Sequence, residues 1–104
     1  MIITTTESIP GKEIVEMLGI ARGSTVRARS FAHDFVAGLK NIIGGEIEEY
    51  TRLQAMSREQ AMKRMIDDAQ KMGADAIVGF KLTTSMIMQG ASEILAFGTA
   101  VKIK

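Results

Sequence analysis

A chain of 104 residues with thirteen basic and twelve acidic side chains carries a formal charge of +1, too balanced to recruit nucleic acid or an anionic membrane by its field. The absence of cysteine excludes disulfides, thiolate zinc sites and cysteine nucleophiles, and fits a reducing compartment. Length and the lack of a linker-like stretch predict one domain over residues 1–104 with a single core, and no apolar run reaches the roughly 18 residues of a membrane span.

The first residues, "MIITTTESIP", lack the charged-then-apolar layout of a signal peptide, so the expected location is the cytoplasm. Within them "IITTT" is rich in β-branched side chains, and Pro10-Gly11 marks a turn. From Glu13 to Arg29 a strand region is expected, with Gly19 and Gly23 as bends or bulges. Ser30 then offers an N-cap to a first helix over 31–43, where Phe31, Phe35, Val36, Leu39, Ile42 and Ile43 share one face.

Two glycines follow in "NIIGGEIEEY". Gly44 stands where a helix C-cap tolerates positive φ, Gly45 lets the chain turn, and a second helix starts at once. Glu46, Glu48 and Glu49 in its first turn lie at the positive end of the helix dipole. Ile47, Tyr50, Ala61, Met62, Met65, Ile66, Ala69 and Met72 keep helical phase, predicting one long helix from Glu46 to Met72. Ser57 and Gln60 form a capping-box pattern that leaves open a break near Met56. Unbroken, such a helix spans roughly 40 Å at 1.5 Å per residue and overhangs its own core. Gly73 closes it, and "ADAIVGFKLTT" and "EILAFGTAVKIK", joined by Gln89-Gly90-Ala91, read as a β-hairpin.

Strict alternation puts Ala76, Val78, Phe80 and Leu82 on one face of the first hairpin strand and Ile77 and Gly79 on the other. In the second strand Leu95, Phe97, Val101 and Ile103 oppose Ile94, Ala96, Gly98 and Ala100. A sheet apolar on both sides needs cover on both, and two helices on one face leave the second open. Another copy of the chain is the expected cover.

Chemistry-bearing residues are few. His33, the only histidine, with Asp34 beside it, suggests a general base or metal pair, against a solvated helix start. Asp67 and Asp68 pass for acid and base, yet Lys63, Lys71 and Arg64 stand four residues away, as in an ion-pair lattice on a polar face. Met86 and Met88 offer two thioethers to a soft cation such as Cu(I), an incomplete site, and adaptable packing is the alternative. "GADAIVGF" is neither a Walker loop nor a dinucleotide fingerprint, and "FGTAV" has no nearby serine-histidine-acid partners.

"NIIGGEIEEYT", "AQKMGADAIVGFKLTTS" and "ILAFGTAVKI", in that order and over nearly the whole chain, resemble the YbjQ-like family, labelled "putative heavy-metal-binding". The resemblance implies an α+β fold related to dodecin subunits, an antiparallel sheet packed by two helices, one of them long, and assembly as a homopentameric ring. It implies no established reaction. A heavy-metal ion enters by the family label alone, and this chain has few soft ligands. The motif residues are Gly44, Gly45, Glu46, Tyr50, Gly73, Ala74, Asp75, Ala76, Gly79, Gly98, Thr99, Ala100 and Val101. Most are small, which predicts tight packing of strand against helix or subunit. Glu46 and Tyr50, one turn apart, are the motif pair with polar chemistry, for a ligand at a subunit junction or for each other and a neighbouring backbone. Two functions remain: a ring-forming binding or scaffold protein with its ligand near Glu46 and Tyr50, or an enzyme using Glu46 and His33 as acid and base across an interface.

Overall fold

The computed structural model describes residues 1–28 and 45–104, and side chains outside 28–53. In chain order the elements are β1 (Ile2–Ile3), β2 (Ile14–Ala28), α1 (Gly45–Lys71), β3 (Ala76–Met88) and β4 (Ala91–Ile103). The four strands form one sheet in the order β1-β3-β4-β2, so the fold is α+β with a single helix among the described residues. The expected helix over 31–43, together with His33 and Gly44, lies outside them.

The sheet is mixed rather than wholly antiparallel. β1 runs parallel to β3, with Ile2 opposite Ala76, while β3–β4 and β2–β4 are antiparallel. Only two residues of "IITTT" are strand, because Thr4 and Thr6 turn to side-chain bonding: their hydroxyls lie 2.7 Å apart and Thr6 Oγ1 donates to the Ser8 carbonyl. Pro10-Gly11 makes a type II turn, with Lys12 N donating to Ile9 O at 3.0 Å and Gly11 at φ 80°.

The long helix runs unbroken through Met56, so Ser57 caps nothing. Instead Ser57, Ala61, Met65 and Ala69, at steps of four, are all buried to 1% exposure or less and form the stripe laid on the sheet. The helix ends in a Schellman motif: Gly73 N donates to Gln70 O, Ala74 N to Ala69 O, and Gly73 sits at φ 82°. The radius of gyration, 17.2 Å, exceeds the roughly 13 Å of a compact domain of this length, consistent with a helix that overhangs its core.

Two bulges shift β2 against β4, one between Met17 and Gly19, where Gly19 has φ 138°. Gly23, the other glycine expected to bend this strand, is in regular register opposite Ala96 and serves a different end. A Cβ on Gly23 would stand 2.2 Å from Met65 N and 2.4 Å from Ala61 O, so here the helix backbone lies directly on the strand.

A third irregularity, between Val78 and Lys81, overturns the alternation expected for β3. Gly79, at φ 64°, takes one residue out of the ladder, so Phe80 joins Ile77 in the helix-side core instead of following Ala76 and Val78. Leu82 changes sides with it, pairing with Ala96 of the helix-facing row. The bulge is also bonded to the N-terminal segment: Gly79 N donates to Thr6 O at 2.8 Å and Phe80 N to Thr4 O at 3.0 Å.

Two clusters result. Ala21, Ile77, Ile94, Ala96 and Ala100 meet Ala61, Met65 and Ala69 under the helix. On the opposite face Ala76, Val78 and Val101 are packed by Ile9 and Ile103, so the N-terminal segment covers the base of the face that the helix leaves bare. Along β2 on this face the cover stops, and Met17, Ile20 and Val26 are 75%, 65% and 54% exposed.

Candidate functional site

Helix α1 lies chiefly over β2 and β4 and hardly touches β3, and its polar side chains reach past the sheet to the outer border of β2. Among the described residues β2 is an edge strand, bonded to β4 on one side only. In an antiparallel ladder every second residue turns its N–H and C=O away from the partner strand. Arg22 and Ser24 are two such residues: Arg22 N donates to Asp68 Oδ2 at 3.0 Å, and Ser24 O accepts from Arg64 Nη1 at 2.6 Å. A third tie follows at the end of the strand, where Arg27 Nε donates to Ser57 Oγ at 2.7 Å and Arg27 Nη2 to Gln60 Oε1 at 3.3 Å.

For Arg64 and Asp68 this arrangement corrects the ion pair expected on the helix. Arg64 and Asp68 are one turn apart, but each spends its hydrogen-bonding capacity on the backbone of a strand more than 35 residues away. Between these ties lies a groove of about 570 Å³, lined by Arg22, Gly23, Ser24, Arg64, Glu93 and Leu95. Two guanidinium groups, one carboxylate and the apolar side chain of Leu95 therefore border it. Among the described residues that line it, Glu93 is the one carboxylate and Ser24 the one hydroxyl.

The residues singled out in the sequence do not gather there. Glu46 and Tyr50 fall in the first two turns of α1, but their side chains, like His33, lie outside the described residues. Met86 and Met88 are exposed at the tip of the hairpin. A register shift between them places Met86 opposite Ser92 and Met88 opposite Ala91, adjacent residues of β4 that face opposite sides of the sheet. Two thioethers on opposite faces do not converge on one cation. Among the described residues no three aspartate and glutamate side chains are grouped to hold a metal ion.

The motif residues have structural positions. Asp75 Oδ2 accepts from Ile103 N at 3.1 Å while Asp75 N donates to Val101 O at 2.9 Å, tying the start of β3 to the end of β4. Ala76, Ala100 and Val101 are buried, and Thr99 pairs with Val78 and Ile20. A Cβ on Gly98 would stand 2.5 Å from Ile77 Cγ2 and 3.1 Å from Val78 O, so Gly98 makes room for the Gly79 bulge. Gly45 begins the helix. Arg22, Arg64 and Glu93, missed in the sequence, carry no local signal, since they come from three elements joined only by tertiary contact.

Comparison with known proteins places the chain. It is 54% identical over 103 residues to a "UPF0145 protein" of Methanosarcina acetivorans, covering 99% of this chain and 97% of that one. It is 54% identical over 104 residues to another of Archaeoglobus fulgidus, covering 100% and 96%. A crystal structure of a protein with unknown function from Pediococcus pentosaceus, of the DUF74 family, superposes with a TM-score of 0.67 at 18% identity, covering 100% of this chain and 98% of that one, a likeness of fold. The model of the YbjQ_1 family, described as "Putative heavy-metal-binding", matches residues 1–104, and the chain belongs to that family.

Proposed function

We propose that the protein is a non-enzymatic, self-assembling binding or scaffold protein of the cytoplasm, built as a homopentameric ring of dodecin-like subunits. Its small ligand, with a heavy-metal ion the class that the family description names, sits at subunit junctions near Glu46, Tyr50 and His33. The observation that carries this reading is the apolar surface that the described residues leave uncovered. Met17, Ile20 and Val26 lie along β2 on the face away from the helix, all exposed, where a soluble monomer keeps such patches small. A further copy of the chain buries them at the least cost in specificity, because a symmetric assembly reuses one patch on every subunit.

Multi-angle light scattering at micromolar concentration tests the assembly, and a mass of one chain contradicts it. The site is tested by titrating Zn²⁺, Ni²⁺ and Cu(I) into the wild-type chain and into Glu46→Gln. Weaker binding by the variant with the helical content intact supports the junction site, and equal binding rejects it.

A further inference from the structure

Among the described residues the outer border of β2 is the longest strand edge of the sheet, fifteen residues bonded to β4 on one side only. Such an edge is a template for another strand. Along its centre the exposed backbone groups run in the order Arg22 N–H, Arg22 C=O, Ser24 N–H, Ser24 C=O. The first is bonded to the Asp68 carboxylate and the last to the Arg64 guanidinium. Spacing makes this fit: two strand residues advance about 6.7 Å and four helical residues about 6 Å, so side chains one turn apart on an antiparallel helix meet residues two apart on the strand. An acceptor meets the N–H and a donor meets the C=O, as an added strand would offer them.

The edge is also complementary to itself. A two-fold axis through Gly23 in an antiparallel β2–β2 pair sets Arg22 against Ser24 and Ile20 against Val26. No like charges then face each other. We infer that the edge of β2 is a pairing surface for β2 of a second copy, held shut by the Arg64 and Asp68 side chains. Release of those two bonds opens it; while they are in place an incoming strand finds its outermost donor and acceptor already taken.

Amide hydrogen exchange and light scattering on Arg64→Ala, Asp68→Ala, the double variant and Asp68→Asn test this. Loss of a charge-assisted bond is expected to speed exchange at the Arg22 amide about tenfold or more in Asp68→Ala. The Ala96 amide in the central strand should keep its wild-type rate, which separates local opening from global destabilisation. Asp68→Asn, which retains a side-chain acceptor, is expected to stay near wild type. The double variant should double the wild-type mass, and an added Ser24→Arg should restore it by setting a second positive charge against Arg22. Unchanged Arg22 exchange overturns the closure, and a fast Arg22 amide with unchanged mass overturns the pairing.

Discussion

Replacement of Gly23 by alanine probes the contact on which the whole layering depends. The new Cβ would stand 2.2 Å from Met65 N, 2.4 Å from Ala61 O and 2.6 Å from Arg64 C, all backbone atoms of α1. No side-chain rotation relieves that overlap, and an ordinary contact near 3.5 Å requires the helix to lift off the strand by roughly 1 Å. Lifting it loosens Ala61, Met65 and Ala69 against Ala21, Ile94 and Ala96 together. The expected cost is at the upper end of overpacking, about 3 kcal/mol or more, against the 0.5–1 kcal/mol gain that Gly→Ala gives at an unhindered strand position. Urea denaturation at one fixed protein concentration measures it, with Gly73→Ala as the comparison. Gly73 has nothing within 4 Å of its would-be Cβ but sits at φ 82°, so backbone strain alone applies and about 1 kcal/mol is expected. A Gly23→Ala variant within 0.5 kcal/mol of wild type would refute the direct strand-helix contact.

Other substitutions separate further parts of the account. Thr25 is buried and its Oγ1 has no hydrogen-bond partner, so Thr25→Val is expected to raise stability by about 1 kcal/mol, and a lowered Tm contradicts that. Arg27→Ala strips the buried Ser57 Oγ of its donor and should cost about 1–2 kcal/mol, most of it regained in Arg27→Ala/Ser57→Ala, where no orphan remains; a double-mutant cycle with no coupling rejects the bond as a stabilising one. Because Met86 and Met88 face opposite sides of the hairpin, Met86→Leu/Met88→Leu is expected to leave Cu(I) stoichiometry unchanged by native mass spectrometry, and loss of one bound ion per chain would show that the two thioethers meet after all.

The parts of this fold legible in the sequence are those set by local pattern. The four-residue step of Ala61, Met65 and Ala69, glycine after the last periodic residue, and two β-rich runs flanking Gly90 each depend on neighbours along the chain. What the sequence concealed depends on partners far along it. A single bulge at Gly79 reverses the parity on which face assignments rest, so Phe80 and Leu82 moved to the helix side. Gly23 looked like a bend because a glycine in a strand signals either irregularity or close approach, and only the position of α1 decides which. Arg64 and Asp68 have ion-pair spacing on a helix, but the unpaired amide and carbonyl of an edge strand compete for them and win. The groove they border was invisible for the same reason. Glu46, Tyr50 and His33 lie outside the described side chains, and the junction site proposed for them rests on the motif and on the uncovered apolar surface.

Native mass spectrometry of the purified chain tests the central claim most directly. The account predicts a single species at five times the 11.3 kDa chain mass, persisting at micromolar concentration because each subunit's apolar patch is covered by its neighbour. A species at the mass of one chain, with Ile20 and Val26 open to solvent, would contradict it.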